Sequence, residues 1–153
     1  MKTFLLITLI LTLFTGCSSS NAFSRFNLTS MQIKCENSIL SSKIHSQNKT
    51  IGTLSVLYLN QVLAKTYNKD EWFYVSIYTT KDKGRDIKFF LNGEEALSVK
   101  ELQVKNKFSY LLSSTQEWKR YYLVRFKKLD NRLSFIAKNS NFTSDPLIYK
   151  KED

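Results

Sequence analysis

Residues 71–80, EWFYVSIYTT, alternate strictly. Phe73, Val75 and Ile77 fall on one row of an extended chain, and Trp72, Tyr74, Ser76 and Tyr78 on the other. Successive side chains of a strand point to opposite faces, whereas a helix brings residues back to one face every three to four positions. A segment with one aliphatic row and one aromatic and polar row is therefore a strand. Its density of bulky residues suits the middle of a sheet.

The same period runs on downstream. In DIKFFLNG, residues 86–93, Ile87, Phe89 and Leu91 share a face, and Asn92-Gly93 supplies a turn in which both residues tolerate positive φ. EALSVKEL (95–102) puts Leu97 and Val99 in phase, and KFSYLLSS (107–114) does the same with Phe108, Tyr110 and Leu112. Residues 119–139, KRYYLVRFKKLDNRLSFIAKN, predict a hairpin. Tyr122, Val124 and Phe126 line one arm, Leu133, Phe135 and Ala137 the other, and Asp130-Asn131 forms the turn. PLIYK (146–150) predicts a short last strand. Upstream, 52–60 reads as extended and 61–67 stays open between strand and short helix. Turns are short and no long amphipathic helix stands out. The expected fold class is all-β, an antiparallel immunoglobulin-like β-sandwich over residues 31–153. The Cys…Trp…Cys pattern of antibody domains is absent. Phe73, Val75, Ile77, Phe89, Leu91, Val124 and Phe126 are the expected core.

The 153 residues are 42% hydrophobic, enough for one packed domain and inconsistent with a disordered chain. The formal net charge is +10, of which Lys2 alone lies within residues 1–16. Such a surface attracts anionic partners such as phospholipid headgroups, acidic glycans or nucleic acid, without choosing among them.

Lys2 is followed by FLLITLILTLF, residues 4–14, then by Thr15, Gly16 and Cys17. An apolar stretch of eleven residues suits a signal peptide and falls short of the roughly 20 that a spanning helix needs. FTGC, residues 14–17, resembles the lipobox of bacterial lipoproteins. The resemblance implies that the Cys17 thiol receives a diacylglyceryl group, that the bond after Gly16 is cut, and that the new N-terminus is acylated, as with palmitate. Phe14 departs from the usual Leu but keeps the position bulky and apolar. The alternative is an ordinary secretory signal with Cys17 incidental. Ser18, being other than Asp, implies sorting to the outer membrane in Gram-negative lipoproteins. The expected organisation is a signal peptide over 1–16, a lipidated cysteine and tether over 17–30, and the β-domain beyond. The EWFYVSIY and IKFFLNG strands also resemble small immunoglobulin-like lipoproteins of epsilon-class proteobacteria. No functional residue is carried over from that likeness.

With Cys17 lipidated, Cys35 is the one remaining thiol and no internal disulfide can form. In MQIKCEN it lies in strand phase with Met31 and Ile33, as a small buried hydrophobe. The sequons at Asn27, Asn48 and Asn141 fit chance in an Asn- and Ser-rich chain. His45, the single histidine, stands among serines in a polar stretch and makes a poor catalyst. Asp70-Glu71 and Glu94-Glu95 read as solvated turn charges. No P-loop, nucleophile elbow or metal-ligand spacing occurs, so neither an enzyme, a metal nor a cofactor is expected.

The most suggestive surface is the stretch 118–138. Lys119, Arg120, Tyr121, Arg125, Lys127, Lys128 and Arg132 outnumber one acid, Asp130. Lys119, Tyr121, Arg125 and Lys127 share a strand phase, so they form either a cationic, aromatic face for an anionic envelope component or a plain solvated surface. The expected function is a lipid-anchored, non-enzymatic binding or assembly module, held to the membrane by its N-terminal lipid. The alternatives are an accessory subunit of a secretion, flagellar or lipid-transport machine and, less favoured, an envelope hydrolase. Nucleic acid is not an expected partner of an exported protein.

Overall fold

The computed structural model describes residues 28–80, 86–130 and 132–151. The signal segment, Cys17, Phe23, Phe26, Asn27, Asn131 and the acidic pair Glu152-Asp153 lie outside these residues.

The chain is mostly antiparallel β-structure in a single curled sheet. A nine-residue helix, α1 (Ser30–Ser38), precedes β1 (Ile39–Ser46) and β2 (Lys49–Tyr58). One helical turn, α2 (Leu59–Val62), leads to β3 (Glu71–Thr79). Then come β4 (Lys88–Leu91), β5 (Glu94–Glu95), β6 (Ser98–Leu102), a 3-10 turn at Ser109–Leu111, β7 (Arg120–Phe126), β8 (Leu133–Lys138), β9 (Thr143–Ser144) and β10 (Leu147–Tyr149). The strand order is β5-β4-β8-β9-β1-β2-β3-β7-β6, with β10 also paired to β8. Residues 96 and 97 carry the chain from one margin of this sheet to the other. Ala96 N–H donates to Phe89 O of β4 (3.0 Å), and Leu97 N–H to Arg125 O of β7 (2.8 Å). The sheet thus wraps around its own inner face.

That inner face is the main core. Phe73, Val75, Ile77, Phe89, Leu91, Val124 and Phe126 are all buried there, as the alternation predicts. Phe73 meets Phe126 at 5.8 Å and Phe135 at 4.9 Å between ring centroids. Strand β3 is central, between β2 and β7. Its second row is covered as well. Tyr74 packs with Leu57, Tyr121, Cys35, Phe108 and Leu111 in a smaller core between the outer face and α1. Asn92 and Gly93 take φ of 51° and 88°, the predicted turn geometry. The Asn92 amide also clips this turn to β8, accepting from Ser134 N–H (2.7 Å) and donating to Arg132 O (3.0 Å).

Several expectations need correction. Residues 119–139 do not form a hairpin: β7 pairs with β3 and β6, while β8 pairs with β4, β9 and β10. Both arms aim their aromatic rows inward, so they face each other across the core, with Phe126 and Phe135 5.8 Å apart. MQIKCEN is helical. Thr29 caps α1 with a full capping box against Gln32, and this local hydrogen bonding overrides the period-two pattern. Cys35 is buried as expected, but Met31 and Ile33 turn outward. KFSYLLSS is a 3-10 turn that buries Phe108 and Leu111 rather than a strand. β6 forms, yet Leu97 and Val99 remain 57% and 43% exposed, because β6 ends the sheet. Strand β2 stops at Tyr58, and Leu59–Val62 is helical.

Candidate functional site

Glu71 is the first residue of β3 and shares the inward row of Phe73 and Val75. That phase drives its carboxylate into the mouth of the curled sheet, where it is 1% exposed. It is therefore a buried acid and not the solvated turn charge that its place beside Asp70 suggests. A buried carboxylate needs donors and a counter-charge, and this one has both. It accepts from the Tyr58 hydroxyl, from Leu129 N–H (3.0 Å) and from Lys151 Nζ (2.6 Å). Lys151 donates in addition to Leu129 O. One carboxylate thus ties the end of β2, the loop after β7 and the segment after β10. Burial, and then the Glu71 acceptor, hold the Tyr58 hydroxyl far above the ordinary phenol range.

Beside this network lies a cavity of about 320 Å³. Asn60 of α2 fixes its wall: its amide donates to Asp70 O (2.6 Å) and its side-chain oxygen accepts from Trp72 N–H (2.9 Å). Tyr58 and Tyr67 supply aromatic surface, Gln61 and Asn68 supply amides, and Lys128, Lys150 and Lys151 supply charge. Because Lys151 is matched by Glu71, Lys128 and Lys150 are the cations left to act on a ligand. Among the described residues neither makes an ion pair.

The seven predicted surface residues do not form one face. Lys127, Lys128 and Arg132 are exposed around the loop from β7 to β8, at this same end of the sheet. Lys119 and Arg120 lie at the other end of β7, roughly 20 Å away for a seven-residue strand. Arg120 packs over the Tyr122 ring at 5.7 Å. Tyr121 is not on a cationic face, since it is 1% exposed and belongs to the smaller core, stacked on Tyr74 at 5.9 Å. Arg125 is half-buried over Trp72 (5.6 Å) and near Asp70 (3.7 Å), which makes it a packing residue as much as a surface charge. Of the seven, only Lys128 lines the cavity. Tyr58, Tyr67, Glu71, Lys150 and Lys151 were invisible as a set, for they are far apart in the chain. The one local signal is the polar block around Asn60 and Asn68 between two apolar segments.

His45 Nε2–H donates to Asp145 Oδ2 at 3.1 Å, and Thr50 Oγ1 stands 3.5 Å from Nδ1. The pair is on the surface, with Asp145 more than half exposed, and outside the lysine-lined cavity. A hydrolase would need this acid and histidine at the bottom of a pocket beside preorganised donors. Among the described residues no group of three or more His, Cys, Asp or Glu converges to hold a metal ion, and no helix is long and apolar enough to cross a membrane. No known family model matches the chain, and no curated protein is found to be similar to it.

Proposed function

We propose that the protein is a lipid-anchored lipoprotein of the bacterial cell envelope, held in the outer membrane through Cys17, and that its domain is a non-enzymatic binding module for an anionic envelope component. The observation that carries the binding role is the lysine-lined cavity. Among the described residues the one acid of its lining, Glu71, is already matched by Lys151, so Lys128 and Lys150 are left to attract an arriving anion. The apolar run, Gly16 and Cys17 support the anchor. We also infer immunoglobulin-like, sandwich layering within the curled sheet. β1, β2, β3, β7 and β6 make one wall, and β5, β4, β8 and β10 the other.

Two measurements test this reading. Metabolic lipid labelling with membrane fractionation should show Cys17→Ala unlabelled and released from the membrane. Retention of the mutant would overturn the anchor. Binding of the protein to vesicles containing phosphatidylglycerol, or to lipopolysaccharide, should fall at least tenfold as the screening length shortens from ~8 Å at physiological strength to ~3 Å at 1 M salt. The folded double variant Lys128→Glu/Lys150→Glu should lose most of it. Undiminished binding would return these lysines to a solubilising role. A triple change to Glu at Lys119, Arg125 and Lys127 would be a poorer test, because it would also break the packing of Arg125 over Trp72.

A second reading, an accessory subunit of an envelope machine, has support in β6. This terminal strand leaves Leu97 and Val99 exposed beside an unpaired backbone edge, a surface suited to strand addition by a protein partner. Co-purification from detergent-solubilised envelopes, lost on Val99→Lys, would favour it.

A further inference from the structure

A second groove lies on the outer face of the β1–β2–β3 wall, away from the lysine-lined cavity, and it has a different chemistry. Ser41 pairs with Ser55 and Ser55 with Ser76, so three serines stand in register across three adjacent strands. At the usual strand spacing this puts a hydroxyl every ~4.8 Å along a line perpendicular to the strands. The small side chains leave a trough where Leu57 and Tyr74 end the apolar cover. The roof is the segment 112–116, pinned at three points. Gln32 Nε2 donates to Leu112 O (3.0 Å), Ser113 N–H donates to Glu36 (2.8 Å), and Gln116 N–H donates to the Tyr121 hydroxyl (2.8 Å). The groove has a volume of about 220 Å³.

The hydroxyls of this floor are not all spent. Ser41 Oγ donates to Ser55 Oγ (2.9 Å), which leaves the Ser55 proton available. Ser76 is only 9% exposed, lines the groove, and has no side-chain hydrogen-bond partner among the described residues. A nearly buried hydroxyl without a partner awaits one from a ligand or from water. The charged groups of the lining are one acid, Glu36, and one base, Lys119, so they sum to zero and neither an anion nor a cation is favoured. Ile39 and Leu112, both half-buried, offer apolar contact beside these hydroxyls. The trough crosses the strands, which disfavours an added peptide strand, since that would run along them.

We propose that this groove binds a single neutral sugar ring of an envelope glycan, its C–H face against Ile39 and Leu112 and its hydroxyls paired with Ser55, Ser76 and Gln116. The site is independent of the anionic cavity, while the choice of an envelope glycan rests on the proposed location. The full chain in detergent can be titrated with two neutral probes, chitotriose and maltotriose, and followed by saturation-transfer and amide-resonance NMR. The expected result is saturable binding of at least one probe in the millimolar range, with shifts confined to Ser55, Ser76 and residues 112–116. Ser76→Val should weaken it at least tenfold. Ser114→Trp, which fills the groove from the exposed roof and spares the strands, should abolish it. Lys128→Glu/Lys150→Glu should leave it unchanged. No saturable shift with either sugar up to about 50 mM, shifts elsewhere on the domain, or affinity unaltered in both groove variants would overturn the proposal.

Discussion

Replacing Glu71 by Ala isolates the energetic role of the buried carboxylate. The change strands two donors. The Tyr58 hydroxyl and the Leu129 N–H lose their acceptor in a place that water reaches poorly, at about 1–3 kcal/mol each. Lys151 behaves differently. Its side chain is 24% exposed and can swing into solvent, so its loss adds less than about 1 kcal/mol. The expected destabilisation is therefore about 4 kcal/mol, a large part of the ~5–15 kcal/mol that holds a domain together. With a urea slope near ~2 kcal/mol per molar, the midpoint should fall by about 2 M at unchanged slope. Glu71→Gln keeps the volume and one acceptor and should cost about half as much. Lys151→Met should hurt more than its peripheral position suggests, because it leaves the carboxylate buried without its cation. If Glu71→Ala lies within about 0.5 kcal/mol of the parent, the network contributes nothing net and the reasoning fails.

Burial pushes the Tyr74 and Tyr122 hydroxyls up to about 12, and those of Tyr58 and Tyr149 higher still. These groups stabilise the fold fully below the unfolded phenol value of ~10, and that stabilisation is lost as pH rises towards 12; tyrosinate absorbance from them should emerge together with unfolding, and early titration in a folded protein would contradict this. Gly52→Ala should destabilise by at least about 2 kcal/mol in urea titration, since a Cβ there collides with the Tyr78 backbone oxygen between β2 and β3; a wild-type midpoint would refute it. Cys35 is fully buried and desolvation raises its thiol pKa, so alkylation should wait for unfolding; rapid labelling of the native protein at neutral pH would show that α1 lifts away.

The parts of the fold that were legible are those where one row of a strand meets the main core. Phe73, Val75, Ile77, Phe89, Leu91, Val124 and Phe126 each obey the alternation, and Asn92-Gly93 declares its turn. Pairing was harder, because alternation shows which way a side chain points and not which strand lies beside it. Tyr122–Phe126 and Leu133–Ala137 have matching patterns precisely suited to opposed walls as well as to a hairpin. The smaller core hid for a related reason. Tyr74 and Tyr121 belong to mixed rows that look solvent-facing until α1 and Phe108 are placed over them. The candidate cavity was least legible, since Tyr58, Glu71, Lys128 and Lys150 meet only after the sheet has curled.

The manner in which β1 is flanked bears on how such a chain acquires its shape during synthesis. Its far side is completed by β9, through Ile44 with Ser144 and His45 with Thr143, and the His45–Asp145 contact there joins residues 100 positions apart. The Tyr149 hydroxyl reaches back 93 positions to Val56 O. Closing such long loops is entropically slow, and chains dominated by distant pairings fold late. A chain emerging N-terminus first would therefore hold β1, β2 and β3 with an open margin until Thr143–Ser144 has appeared. Under the proposed export this delay would be useful, because little could lock before passage is complete. The same interval leaves β1, Ile39–Ser46, open to wrong pairing along its margin.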